Sequence, residues 1–200
     1  MKKITLITMT LAVIASLALF TSCKGKTNPA PEPEVAAETE TAACDAADCL
    51  KAVDNYLATE VGPSYAQGEY CIPSVTVVAC DDSNADDIRV WGDFWVYNYK
   101  LSGDVLETVS GGNHPGLMHL KKTDSGYEVT SFDQVADGHD FEASAKEIFG
   151  DNYEAFSAVL SNADAREEVR RQAISCFVKN QGLTAAQYQD YGWPARQINP

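Results

Sequence analysis

The chain has 200 residues and is strongly acidic, with 29 Asp and Glu against 15 Lys and Arg and a net charge of −14. The length supports one domain with enough chain for a real core. The charge argues against nucleic acid and against anionic lipid headgroups as direct partners, because such a surface repels both.

The chain opens MKKITLITMTLAVIASLALFTSCKGK. Lys2 and Lys3 give a positive start, and Leu11 to Phe20 is an apolar run of ten residues, too short for a spanning helix. Thr21-Ser22-Cys23 closes the run. This pattern resembles the signal peptide and lipobox of bacterial lipoproteins. The resemblance implies that residues 1–22 are removed and that Cys23 is lipidated, palmitate included, as the first residue of the mature chain. Acyl chains contribute roughly 0.8 kcal/mol per buried CH2, so more than one of them anchors stably where a single chain does not. The implied partner is therefore the membrane of the cell envelope. Lys24 stands where some bacteria place a retention aspartate, which favours the outer membrane. Losing Lys2 and Lys3 takes the net charge to −16.

Residues 24–43, KGKTNPAPEPEVAAETETAA, contain no aromatic and one β-branched aliphatic, Val35. Such a segment cannot bury enough apolar surface to offset its chain entropy. Residues 23–43 read as the lipidated cysteine and a disordered acidic linker, and residues 44–200 as a single domain.

From Asp45 the pattern is helical. Cys49, Leu50, Val53, Tyr56, Leu57 and Val61 fall on one stripe. Asp45 or Asp48 caps its start, and Gly62-Pro63 stops it. The period then becomes two, with a strand over 74–79, a turn over 81–87 and a long strand over 88–101. The long strand has two apolar faces. One carries Ile88, Val90, Phe94 and Val96, and the other carries Trp91, Trp95, Tyr97, Tyr99 and Leu101. Gly92 marks a bulge or bend within it. Ser102-Gly103-Asp104 reads as a hairpin turn. Strands follow over 105–110, 116–122 and 127–132, the last after the turn Thr123-Asp124-Ser125-Gly126.

The stretch SGGNHPGLMH, residues 110–119, holds Gly111-Gly112, Asn113 and Pro115-Gly116. Those residues predict a turn or wide bulge between the third and fourth strands. Helices return after Asp140, which serves as a cap. Ile148, Phe149, Tyr153, Phe156, Val159 and Leu160 share a face, with a break at Gly150-Asp151. Asp164 and Glu167 suggest a capping box for the next helix, Glu167 pairs with Arg171, and Val169, Ala173, Cys176 and Phe177 form the buried stripe. Gly182 ends this helix. The last residues read as a short docked or partly ordered tail.

Helix, consecutive antiparallel strands, then helices make an α+β fold. The order from Cys49 to Phe132 resembles the cystatin-like superfold, including the NTF2-like domains. The resemblance implies an N-terminal helix packed on a curved antiparallel sheet of about five strands, with a pocket on its concave face. The C-terminal helices then either frame that pocket or fill it.

Besides Cys23, five cysteines remain in an oxidising compartment. Cys71 and Cys80 lie on a largely extended stretch of roughly 30 Å, far beyond the ~7 Å that a disulfide spans. Cys49 and Cys80 fit better. A helix from 49 to 61 covers ~18 Å, and a strand from 74 to 80 covers ~20 Å. Antiparallel packing of the two predicts a Cys49–Cys80 bridge, which leaves Cys71 and Cys176 as a second pair or as buried thiols.

Three features carry candidate chemistry. His114 or His119 with Asp133 would make a general base and its acid partner in the sheet cavity. The row Trp91, Trp95, Tyr97 and Tyr99 would line an apolar pocket, stack on sugar rings, or pack beneath the C-terminal helices. Asp82-x-Asn84-x-Asp86 begins like a calcium loop but lacks the glycine that should follow, and Asp133, Asp137, His139 and Asp140 read as a polar loop. No metal and no cofactor are expected. The residues favour a non-catalytic module that binds a small apolar or glycan ligand or another envelope protein. The alternative is an NTF2-like isomerase, dehydratase or hydrolase built on the His/Asp pair.

Overall fold

The computed structural model describes residues 46–199, with side chains from Asp48 onward. The signal peptide, Cys23, the linker and Cys44 lie outside the described residues. Helix α1 (Ala46–Tyr56) continues as a π-helical turn over Leu57–Val61 and a tight turn over Gly62–Ser64, so the helix changes pitch where Gly62-Pro63 was expected to stop it. There follow β1 (Tyr70–Asp81), β2 (Ile88–Ser102), β3 (Val105–Asn113), β4 (Gly116–Thr123), β5 (Gly126–Gln134), α2 (Phe141–Phe149), α3 (Tyr153–Ser161), α4 (Ala163–Gln181), β6 (Gln187–Gln189) and β7 (Arg196–Gln197). The fold is α+β. Among the described residues its open, mixed sheet has seven strands, against the five expected.

β2 is the axis of the sheet. It pairs antiparallel with β1 on one side, and with β4 and then β3 on the other. β5 lies outside β4, while β6 runs parallel to β3 and carries β7 on its far side. The expected turn over residues 110–119 is therefore corrected. Asn113 faces Trp95 and Gly116 faces Gly92 in one unbroken register, and His114 N donates to Phe94 O at 2.7 Å between them. β3 and β4 run on as one strand because the 15-residue β2 offers a continuous partner. The glycines are there for room. A Cβ at Gly112 would meet the Tyr65 hydroxyl at 2.0 Å, and one at Gly116 would meet Asp133 O at 2.3 Å. The bulge falls earlier, at Val109, where the register slips opposite Asn98 and Tyr99.

Both faces of the sheet are covered, as the two apolar faces of β2 require. Cys49 and Val53 of α1 and Leu57 of the π-helical turn pack on Ile88, Val90, Phe94, Val96, Met118 and Leu120. On the opposite face, Ile174 and Val178 of α4 pack with Tyr99, Leu106, Tyr188 and Ile198. Beside them Ala145, Phe149 and Phe156 of α2 and α3 close over Trp91 and Val135.

Gly92 is not itself the bulge. That lies across from it in β1, where Val78 is the extra residue between Val77 and Ala79. Gly92 instead leaves space for a buried ring, since a Cβ there would stand 2.6 Å from Phe94 carbons. Gly92→Ala is expected to destabilise the fold by about 1–3 kcal/mol through overpacking, read as a lower urea midpoint at unchanged slope.

Local details of the helices differ from the sequence pattern. Asn162, not Asp164, caps α4, its side chain accepting from Ala165 N at 3.1 Å. Arg171 pairs with Glu168 rather than Glu167. Asp140 occupies the cap position of α2 but makes no side-chain cap. The fully buried stripe of α4 is Arg170, Ile174 and Val178, with Cys176 exposed. Gly150 and Gly182 take the positive φ that their roles as helix punctuation require.

Cys71 belongs to the α1 side of the sheet and Cys176 to exposed α4 on the other, so the second bridge is ruled out. Burial pushes the Cys71 thiol up from its ordinary pKa. Cys49 is buried on the sheet-facing side of α1. Cys80 sits at the exposed end of β1 opposite Val90, on the face that α1 covers.

Candidate functional site

The aromatic row does not line an open cavity. Trp91 Nε1 donates to Ile148 O of α2 at 2.9 Å. Trp95 and Tyr97 stack with centroids 5.6 Å apart and planes 7° from parallel. From α4, the Arg166 guanidinium lies 5.8 Å from the Trp95 ring and that of Arg170 lies 4.0 Å from Tyr97. Tyr99 is fully buried, and its hydroxyl accepts from Arg170 Nε at 2.9 Å. Cationic side chains of α4 thus occupy the faces that a ligand would need. In the structure the row packs beneath the C-terminal helices.

The proposed His/Asp pair forms for one histidine only. His119 Nε2 lies 3.4 Å from Asp133 Oδ2, and its Nδ1 lies 2.7 Å from Asp87 Oδ1. His114 points to the other face, because it alternates with the His119 side of the strand. There it is buried, with Nε2 2.8 Å from the Tyr65 hydroxyl and Nδ1 3.0 Å from Gln134 Oε1. Gln134 and Asp133 are neighbours on β5 and face opposite ways, so His114 cannot reach Asp133. A shallow cleft of about 430 Å³ beside Asp133 is lined by Leu117, Ser144, Glu147 and Ile148. Ser144 is already committed: its hydroxyl donates to Asp140 O at 2.8 Å and accepts from Ala136 N at 3.0 Å. His119 therefore has carboxylates at both ring nitrogens, with Ser131 directly across from it on β5.

A second place combines a groove with exposed aromatic surface. Arg170 is only 4 % exposed, yet its fork donates to Asp190 Oδ1 at 2.7 Å and Oδ2 at 2.9 Å, and to Thr108 Oγ1 at 3.0 Å. Thr108 Oγ1 in turn donates a hydrogen bond to Asp190 Oδ1 at 2.7 Å. The Arg170 hydrogen bond holds the Asp190 carboxyl below its usual range, with burial opposing and Thr108 assisting. Nearby, Glu167 accepts from the Tyr188 hydroxyl at 2.6 Å and pairs with Arg196 at 2.6 Å. Burial and that carboxylate push the Tyr188 hydroxyl up to about 12.

This network fastens the turn that follows β6. Trp193 N donates to Asp190 O at 3.0 Å, Gln189 Nε2 donates to Trp193 O at 2.7 Å, and Gly192 supplies a φ of +80°. The turn projects Tyr191, 98 % exposed, and Trp193, 64 % exposed. Beside it runs a groove of about 390 Å³ lined by Lys100, Glu107, Thr108, Val109, Asp190 and Tyr191. Lys100 and Glu107 pair across β2 and β3 at 2.8 Å.

Comparison with family models, curated proteins and solved structures finds no match for this chain.

Tyr191, Trp193, Arg170 and Asp190 carry this second site, and none stood out in the sequence. The available signal was Tyr191-Gly192-Trp193-Pro194, two aromatics around a turn glycine in a segment taken as a tail. Arg170 gave none, because an arginine in an amphipathic helix ordinarily marks the solvent face.

Proposed function

We propose that this protein is a lipid-anchored, non-catalytic binding module of the cell envelope, its first helix and sheet arranged in the cystatin-like or NTF2-like manner. The opening residues through Cys23 support the anchor, and Lys24 supports the outer-membrane address. The filled faces of the sheet support a ligand met at the surface rather than in a concave pocket. One observation carries the reading: Tyr191 stands almost wholly in water on a turn that the Arg170–Asp190 pair ties to α4. An exposed aromatic on a hydrogen-bonded turn beside a groove needs less ordering of the backbone on binding. The 3.4 Å approach of His119 to Asp133 favours the enzyme reading, but less strongly, because both ring nitrogens are engaged.

The full-length chain in its own envelope tests this proposal. Cys23→Ala is expected to release it from the membrane fraction. A photoreactive phenylalanine analogue in place of Tyr191 is expected to give an adduct on irradiation, whereas the same analogue at exposed Thr130 on β5 gives none. Absence of any adduct at 191 removes the groove as a binding site.

A further inference from the structure

The groove beside Tyr191 has a chemistry that selects among ligands, and we infer that it takes a neutral saccharide. This rests on the binding-module reading and narrows it to a ligand class. A sugar ring offers a face of C–H bonds and a rim of hydroxyls. The face suits the negative π-surface of an exposed aromatic, and the rim needs donors and acceptors in alternation. Tyr191 supplies the surface. Along the groove, Lys100 supplies donors, Glu107, Asp190 and Thr108 supply acceptors, and Gln189 supplies both.

Charge narrows the class. Lys100 is matched by Glu107 and Asp190 by Arg170, so the groove holds no surplus cation for a phosphate or a uronate. The whole chain, at −14, repels anions further. An apolar ligand is disfavoured as well, because polar groups interrupt the groove wall on both sides of Val109. Order adds to the case: Asp190 is held by three hydrogen bonds from Arg170 and Thr108 to its carboxylate, so the acceptor is set before a ligand arrives.

The test is calorimetry on detergent-solubilised full-length protein, with neutral glucan, mannan, galactan, xylan and N-acetylglucosamine oligosaccharides as probes. At least one is expected to bind with a Kd tighter than about 1 mM, and that Kd should hold within about twofold between low and high salt. Tyr191→Ala is expected to weaken binding at least about tenfold while Tyr191→Phe retains it, since the ring and not the hydroxyl makes the platform. Tyr191 touches too little of the fold for either change to impair folding. No saccharide binding, or binding indifferent to Tyr191→Ala, overturns the inference. If an adduct at position 191 still forms in the envelope while no saccharide binds, the site is real and its ligand is of another class, such as a peptide. If neither is seen, the binding-module reading fails with it.

Discussion

Arg170→Ala is expected to lower the unfolding free energy by about 3–5 kcal/mol, measured as a fall in the urea midpoint. Arg170 is buried on the α4 face and satisfies three separate groups at once: the Tyr99 hydroxyl, the Asp190 carboxylate and the Thr108 hydroxyl. It also covers the Tyr97 ring at 4.0 Å. Removing it strands Asp190 with no counter-charge at that fork and leaves a core tyrosine hydroxyl without its donor, so desolvation already incurred is no longer offset. Arg170→Lys should recover little, because a single ammonium cannot reproduce a bidentate fork and a stacked plane together. Asp190 sets the pH dependence. Its folded value lies below the ordinary one, so its contribution is present above the ordinary carboxylate range and disappears as the pH falls through the depressed value. The alanine variant should therefore lose part of the wild type's acid sensitivity. It should also free the 190–193 turn, so binding at the groove falls even where the protein remains folded.

That residue also marks where the sequence stops being legible. Periodicity identified α1, the two-faced β2 and the hairpin at Gly103, because each is encoded by neighbours along the chain. The breaks at Gly150 and Gly182 were readable for the same reason. The run of β3 into β4 was not. Glycine and proline at 111–116 signal a turn locally, yet the length of β2 and the close approaches of Tyr65 and Asp133 decide the outcome, and those are tertiary facts. The tail was equally opaque. β6 and β7 are three and two residues long, and they exist because β3 offers an edge and Ile198 a place in the core. In the candidate sites, alternation on β4 was enough to place His119 opposite the Met118 and Leu120 face, and Asp133 did join it. The polarity of Arg170 concealed its role, since the aromatic faces and the carboxylate that make burial tolerable come from β2 and the final turn.

Asp93 yields the second large prediction, with the opposite sign. Asp93→Asn is expected to stabilise the protein at neutral pH by about 1–3 kcal/mol. The carboxylate is completely buried on β2. Oδ2 accepts from Trp95 Nε1 at 3.1 Å, while Oδ1 has no hydrogen-bond partner among the described residues. Burial raises its pKa above the ordinary value, opposed by the Trp95 hydrogen bond, the nearby Asn113 side chain and the charge of Arg166. Below the ordinary carboxylate range both folded and unfolded chains hold the proton, and nothing is lost. As the pH rises the unfolded chain ionises first, so stability declines until the pH has passed the raised folded value. An amide at position 93 never ionises, keeps an oxygen for Trp95, and brings donors to a region where Asn113 Oδ1 also has no partner among the described residues. The gain should thus be largest at neutral pH and shrink toward zero in acid, read from urea midpoints across that range. A loss at neutral pH would instead mean that the charge on Asp93 is needed to hold Arg166 over Trp95, which would make the pair a buried ion bridge rather than an uncompensated carboxylate.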